Sequence, residues 1–421
     1  MPMAEEERLE DEAYRRAVEV LRRNATKYGF SASTEKKENY YSVWARDHCI
    51  TAIGATLTGD EELIRTAKEG LLFLLKRQID HGQVPSYVEI ENKNRVYGGL
   101  GSITAVDANL WTVITCAIMH KTTGDKRFLT KMNMIRYQRF YRLFKAFDSN
   151  DCGLLEVPAG GDWADVMNRS YHILYDECLY YEALKALAYL FEQGYSRLKG
   201  DVARKKLRKR IRWVKKRQPK VKRRINQTLW LTKENTRKVL EEYFIMDKIE
   251  EKEYGYYLTH LQPFKLNWEW RFDSLGNIMA IATDVANRYR SRKIIRYAFQ
   301  NKVNQPYPIK ALHPPVYRHE REWEHIYERK EQPHTYHNGG IWPMIAGFWV
   351  YALKKRGKNK KAAAELRQLA ELLRKNEWDF NEYMHGQTGK SMGKKDQAWS
   401  GAAFIIGYKS VESNFNLFNF H

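Results

Sequence analysis

The chain has no paired cysteines. Its four, Cys49, Cys116, Cys152 and Cys178, are scattered and none falls in a CxxC motif. Neither a zinc framework nor a disulfide scaffold is suggested, so no bound metal is expected. No apolar run approaches the length of a membrane span. The start, MPMAEEERLEDEAYRR, is charged and lacks the apolar core of a secretory signal. We therefore expect a soluble, reduced, cytoplasmic protein with no membrane partner. No series of alternating strands is visible, which disfavours a TIM barrel or a Rossmann fold. No repeat of roughly 34 or 42 residues marks a solenoid. No Pro/Gly/Ser linker divides the sequence, so residues 1–421 are expected to form one domain.

Acidic residues are the scarcer charge. Lys and Arg number 72 against 51 Asp and Glu, a net charge of +21. Such an excess raises the question of a nucleic-acid partner. Much of it is local: Arg197 to Arg224 holds about sixteen Lys/Arg and one acid, Asp201. Val202, Leu207, Ile211, Val214, Val221 and Ile225 recur there at helical intervals. We expect an amphipathic helix over about 197–228, on the outside of the fold and far from any catalytic mouth. Its solvated outer face could make non-specific polyanion contacts.

What the chain does have is helix and aromatics. Apolar residues are 43% of the total, enough for a large core. Twelve Trp and 27 Tyr suit both core packing and sugar stacking. Leu63, Ile64, Ala67, Leu71, Leu74 and Leu75 fit a 3.6-residue period over about Glu61 to Arg77. Comparable segments run over Glu5 to Thr26, Asp107 to His120, Asp125 to Phe147, Asp176 to Glu192 and Ala203 to Trp230. Others run over Leu275 to Asn301, Ile341 to Arg356, Lys360 to Lys375 and Gln397 to Lys409. Gly59, Gly124 and Gly357 mark joints between them. Roughly twelve helices in equal-sized pairs predict an all-α (α/α)6 barrel.

Between the helices lie polar-aromatic loops: YSVWARDHC, YGGLGSITAVDANLW, PAGGDWADVMNRS, LNWEWRFDSLGN, QPHTYHNGGIWP and EWDFNEYMHGQTG. Such loops on a rigid scaffold are where a site is built. Hydrolysis of a glycosidic bond needs two carboxyls flanking the anomeric carbon. Asp165, between Trp163 and Val166-Met167, and Glu382, between Asn381 and Tyr383, have the shielded settings that raise a pKa.

Several motifs carry a family resemblance, in order from about Tyr40 to Tyr408. They are VWARD, VDANLW, DWADVMNRS, GYYLTHLQP, FDSLGNIMAI, ALHPPVY with Glu322-Trp323, YHNGGIWP, NEYMHGQTGK and QAWSGA. In these the chain resembles the alkaline/neutral invertases, glycoside hydrolase family 100. It is more distantly similar to the trehalase and mannosyl-oligosaccharide glucosidase families of the same barrel. The resemblance implies an inverting hydrolase of a small α-glucoside, needing no cofactor, with Asp165 as general acid and Glu382 as general base. It implies that Arg46 and Asp47 hold sugar hydroxyls and that His337 and Asn338 lie beside the site. Trp44, Asp107, Asp162, Trp163, Gln262, Trp342 and Trp399 complete the expected substrate-binding set.

The chain departs from the family in two places. Val166-Met167-Asn168 replaces consecutive arginines after the acid, and Ile173 to Glu177 replaces a Pro-Leu-Glu helix start. Both bear on the leaving group more than on hydrolysis. GGDWAD also resembles the GDWND of disaccharide phosphorylases, which makes Asp162 a rival acid; Asp165 is preferred. Alternatives are a trehalase-, α-glucosidase- or glucosylglycerate-type hydrolase, or a polyanion-binding protein using the basic segment. The aglycone and the oligomeric state are not legible.

Overall fold

The computed structural model describes residues 7–99, 102–196, 200–245, 253–264 and 270–420. The first residues of the expected N-terminal helix, the first three of the basic segment and part of LNWEWRFDSLGN lie outside them.

Helices come in pairs along the chain. They are α1 (Leu9–Asn24) with α2 (Ala45–Thr58), α3 (Glu61–Leu75) with α4 (Val106–Thr123), and α5 (Lys131–Phe147) with α6 (Leu174–Tyr195). Then come α7 (Asp201–Thr228), short α8 (Thr236–Glu242) and α9 (Ser274–Ala282). Next are α10 (Arg288–Gln300), a single turn α11 (Tyr327–Lys330) and α12 (Pro343–Lys355), and finally α13 (Asn359–Lys375) with α14 (Ala398–Glu412). Six of them, α2, α4, α6, α9, α12 and α14, pack each on the next, and α14 closes the ring on α2. The other long helices lie outside this ring, and α1 covers α14 so that the two ends of the chain meet. This is the (α/α)6 barrel.

Burial explains which helix goes where. Outer helices bury one stripe: α13 hides Ala362, Leu366, Leu369, Ala370 and Leu373 and exposes charge between them. Inner helices are buried all round. All nine residues of α9 are buried, as are Val106 to His120 of α4. Small residues let inner helices approach closely: a Cβ at Gly54 of α2 would stand 2.7 Å from Cα of Ala402 in α14. A helix with no apolar stripe has no 3.6-residue signal. That is why Ala45–Thr58 reads as a loop around WARD although it is α2.

Two expected helices are modified. The run Leu275 to Asn301 is two helices. Asp284 adopts a left-handed conformation (φ 62°), and Asn287 caps α10 by accepting the N–H of Arg290 at 2.9 Å. The run from Asp125 opens with a 3-10 turn, after which Thr130 caps α5. Strands among the described residues are two or three residues long and form small antiparallel ribbons. Ser42–Trp44, His172–Ile173 and Phe272–Asp273 lead directly into α2, α6 and α9. The ribbons and the long connections therefore gather at the N-terminal ends of the inner helices.

The basic helix α7 is an outer helix packed on α6. Its first half lies at the C-terminal end of α6, where Arg208 stands 5.2 Å from the ring of Tyr195. That is the end opposite the ribbons. Lys205, Lys206, Lys209, Arg212, Lys216 and Arg223 point to solvent. Among the described Lys and Arg of the run, only Arg217 is buried, paired with Asp148 and Asp151. Replacing the six outward cations by Gln is expected to change stability by no more than about 0.5 kcal/mol per site. Retention on a heparin column should fall to lower salt, as counterion release requires. A large loss in denaturant midpoint would show instead that these charges are part of the fold.

Candidate active site

A cavity of about 430 Å³ opens among the N-terminal ends of the inner helices. Of the sequence-derived candidates, Trp44, Arg46, Asp47, Trp163, Asp165, His337, Trp342, Glu382 and Trp399 line it. Asp107, Asp162, Gln262 and Asn338 do not. Each of these four supports a neighbour. Asp107 grips Arg46 at 2.5 and 3.0 Å. Asp162 pairs with Arg169 at 2.7 Å and accepts the N–H of Ala164. Gln262 accepts the hydroxyl of Ser170 at 2.7 Å. Asn338 ties together Val316 and Glu331.

Arg46 was expected to hold sugar hydroxyls. Its partner is Asp107 of α4, and it also donates to the carbonyl of Asp162 at 3.1 Å. The next residue, Asp47, is buried and has no salt bridge among the described residues. Burial raises its carboxyl to about 7, with Arg46 opposing and Glu382 adding to the shift.

Glu382 sits at the start of the ribbon Tyr383–Met384 with Ser391–Met392. Its Oε1 accepts the hydroxyl of Tyr40 at 2.9 Å. Burial pushes it up to about 7, while the Tyr40 bond pulls it down. Asp165 stands at the tip of the DWAD turn with no hydrogen bond or ion pair among the described residues. Burial raises it too, with His337 the first opposing neighbour. His337 stacks flat on Trp342, ring planes 2° apart, and meets Trp163 edge-on at 4.8 Å. Burial lowers its pKa to about 3, while Asp165 acts in the opposite direction.

Several lining residues were not singled out from sequence: Tyr40, Tyr87, Lys330, Tyr336 and Gln397 among them. Tyr336 and Gln397 lie inside recognised motifs, so motif membership could have flagged them. Tyr87, stacked on Trp44 at 4.4 Å, carries no local signal. Buried polar atoms of three lining residues also have no hydrogen-bond partner among the described residues: the Gln397 amide and the indole nitrogens of Trp163 and Trp399. The described residues contain no cluster of three His, Cys, Asp or Glu able to hold a metal. None of the described helices is long and apolar enough to cross a membrane.

Known structures share this barrel. A family 63 mannosylglycerate hydrolase from Thermus thermophilus, solved with glucose, has a TM-score of 0.64 at 14% identity, over 94% of this chain and 99% of its own. A bacterial glucoamylase complexed with acarbose gives 0.62 at 15% identity, over 96% of this chain and 56% of its own. At the sequence level, the family described as alkaline and neutral invertase matches residues 17–413. A probable alkaline/neutral invertase D of Arabidopsis thaliana is 24% identical over 91% of this chain and 77% of its own length. Cytosolic invertase 1 of Oryza sativa subsp. japonica is 24% identical over 95% and 77%. A mitochondrial invertase C of Arabidopsis thaliana is 22% identical, and the chain spans 62% of it. The protein is a glycoside hydrolase. Within that class the chain belongs to the alkaline and neutral invertase family.

The geometry separates the roles of two buried acids. Asp107→Ala should strand the Arg46 charge and cost about 3–5 kcal/mol in stability. Asp47→Ala, which removes a carboxyl with no ion-pair partner among the described residues, should leave the denaturant midpoint close to wild type. Equal losses in both would make Asp47 a structural residue as well.

Proposed function

We propose that the protein hydrolyses a small α-glucoside with inversion, Asp165 acting as general acid and Glu382 as general base. The observation that carries this is the pairing of two carboxyls, Glu382 buried and Asp165 half-buried, on one aromatic-walled cavity. An acid must hold its proton at the working pH, and burial favours the protonated form of Asp165. The rival Asp162 is engaged by Arg169 and does not line the cavity. A base must be ionised, and the Tyr40 hydroxyl favours the carboxylate of Glu382. An inverting pair stands roughly 6.5–9.5 Å apart, leaving room for water. Trp and Tyr faces suit sugar rings, and the unpartnered Gln397 amide and indole N–H groups suit sugar hydroxyls.

The matched relatives are invertases, which favours a sucrose-type glucoside. The departure at Val166-Met167-Asn168 keeps other aglycones open on the same barrel. Reducing-sugar release from sucrose, trehalose, isomaltose, maltose and glucosylglycerate identifies the substrate. NMR of the first-formed anomer then tests inversion; a product of retained configuration sinks it.

Asp165→Asn and Glu382→Gln should each lose several orders of magnitude in kcat with the fold intact. Wild-type turnover in either removes that residue from its role. Because Glu382 must be ionised, kcat/KM should fall as pH drops through about 7. Tyr40→Phe removes a bond that favours the carboxylate, so this acidic limb should move to higher pH. An unmoved limb would mean that Glu382 is not the titrating base.

A further inference from the structure

Helices α5 and α7 lie side by side on the outside of the barrel, and both run against α6. Met134 of α5 packs at Gly194 of α6, and Phe144 meets Tyr180 edge-on. Arg208 of α7 stands over Tyr195, and Gln218 reaches the carbonyl of Leu184. The two outer helices also touch each other. Tyr141 meets Trp213 edge-on at 5.0 Å, and Arg217 pairs with Asp148 just past the end of α5. They are therefore parallel and in step. They start together at the end of the barrel opposite the cavity.

Their outward faces carry charge of one sign. On α5, Lys131, Arg142 and Lys145 share an exposed stripe with Ile135. On α7, Lys205, Lys209, Arg212 and Lys216 share one with Val202. The only acid in either helix is Asp201. Acids nearby pair elsewhere: Glu192 takes Lys215, and Asp151 takes Arg217 and Lys220. Like charges at this spacing repel one another in the free protein. At the shared start the stripes turn apolar. Met132 is 52% exposed, Ile135 38% and Val202 70%. Single exposed apolar side chains are ordinary on a surface. Here three occupy the first turns of two adjacent helices, among cations.

The chemistry of the face selects its occupant. A second copy of this chain would bring the same charge and be repelled. A nucleic-acid backbone would use the cations but offers nothing to the apolar tips. The rings at this face, Tyr141 and Trp213, are packed on each other and not free to stack on bases. A membrane of anionic lipids uses both features: headgroups for Lys and Arg, and the acyl boundary for apolar side chains. We propose that the paired face of α5 and α7 docks the protein on an anionic lipid surface, with Met132, Ile135 and Val202 entering the headgroup–acyl boundary and the cation stripes lying among the headgroups. None of the described helices can span a bilayer, and a surface contact needs no span. The cavity opens at the other end of the barrel, so docking leaves its mouth in water.

The test is sedimentation of the full chain with vesicles of phosphatidylcholine, with or without phosphatidylserine. The protein should pellet only with the phosphatidylserine vesicles, and less so as salt rises. Changing Lys205, Lys209, Arg212 and Lys216 together to Gln should weaken that partition ~100-fold or more, since each cation contributes about five-fold. The deciding variant combines Met132→Ser, Ile135→Ser and Val202→Ser. It should lose about 10-fold or more in vesicle partition while eluting from heparin at the wild-type salt. All the altered side chains are exposed, so both variants should keep the wild-type denaturant midpoint, which separates lost binding from lost fold. Failure of the wild type to pellet with phosphatidylserine vesicles at about 0.15 M salt overturns the proposal. So does a triple Ser variant that pellets like wild type, because the contact is then charge alone. Duplex RNA bound more tightly than vesicles, and equally well by the triple variant, would assign the face to nucleic acid and overturn it as well.

Discussion

One guanidinium joins the parts that make the site. Arg46, in the first turn of α2, is held bidentate by Asp107 in the first turn of α4 and reaches the carbonyl of Asp162 in the DWAD turn. Tyr175 of α6 adds its hydroxyl to Asp107 at 3.3 Å and accepts the indole N–H of Trp111. Three inner helices and the loop carrying Asp165 thus meet at a single buried charge pair. Taking two charges out of water is costly, and a buried ion pair is a poor source of net stability. What this one provides is register. With Arg46 fixed, the following residue, Asp47, is delivered to the cavity wall, and with Asp162 fixed the turn ending in Asp165 has only a few residues of freedom. Arg169 repeats the device at the far side of that turn, pairing Asp162 and approaching Asp273 at the N-cap of α9.

The barrel topology also accounts for the acids. Every inner helix presents its N-terminus to the cavity end, where partial positive charge accumulates. Asp47, Asp107 and Asp176 lie in first turns, and Asp273 caps α9 by accepting the N–H of Gly276 at 3.0 Å. A strongly basic protein therefore carries an acidic interior at one end. Burial works against those charges, which is why Asp47, Asp165 and Glu382 are all pushed upward. The counter-influences differ from one to the next: Arg46 for Asp47, the Tyr40 hydroxyl for Glu382, His337 for Asp165. Burial thus shifts all three carboxyls in the same direction, while a different neighbour opposes the shift at each.

Much of this was legible in the sequence, and the rest was hidden for identifiable reasons. Outer helices such as Glu61–Leu75 announce themselves because only one face is buried. The inner helix Ala45–Thr58 does not, because burial on all sides erases the period. Asp165, Glu382, His337 and the Trp residues were found from shielded loop contexts and motif order. Asp107 and Asp162 were expected to touch sugar, yet both serve arginines. Residue type at a motif position cannot distinguish a carboxylate facing a cavity from one lying behind it. Tyr40 escaped because its importance is a contact with a distant partner: it meets Glu382 across 342 residues of chain.

The departures from the family fall where the acid turn meets its cover. Asn168 stands in place of an arginine, and its backbone N–H donates to the Tyr327 hydroxyl at 2.9 Å while its side chain reaches Glu324. Arg271 anchors the same cover through Glu320 and Glu322, at 3.0 and 3.6 Å. The segment ends at Lys330, on the cavity wall, and at Glu331, on His337. So the connection between α10 and α12 touches the acid turn, the rim and the ring beside Asp165 at once. The starts of the inner helices fix Arg46, Asp47 and Asp107, whereas this connection is free to vary in length and composition. Changing Asn168 or its partners would reshape the leaving-group side without disturbing Arg46, Asp107 or Glu382. The same separation lets one barrel serve hydrolases of different glycosides. On the proposed reading, aglycone preference is expected to follow residues 301–342 and the turn they cover.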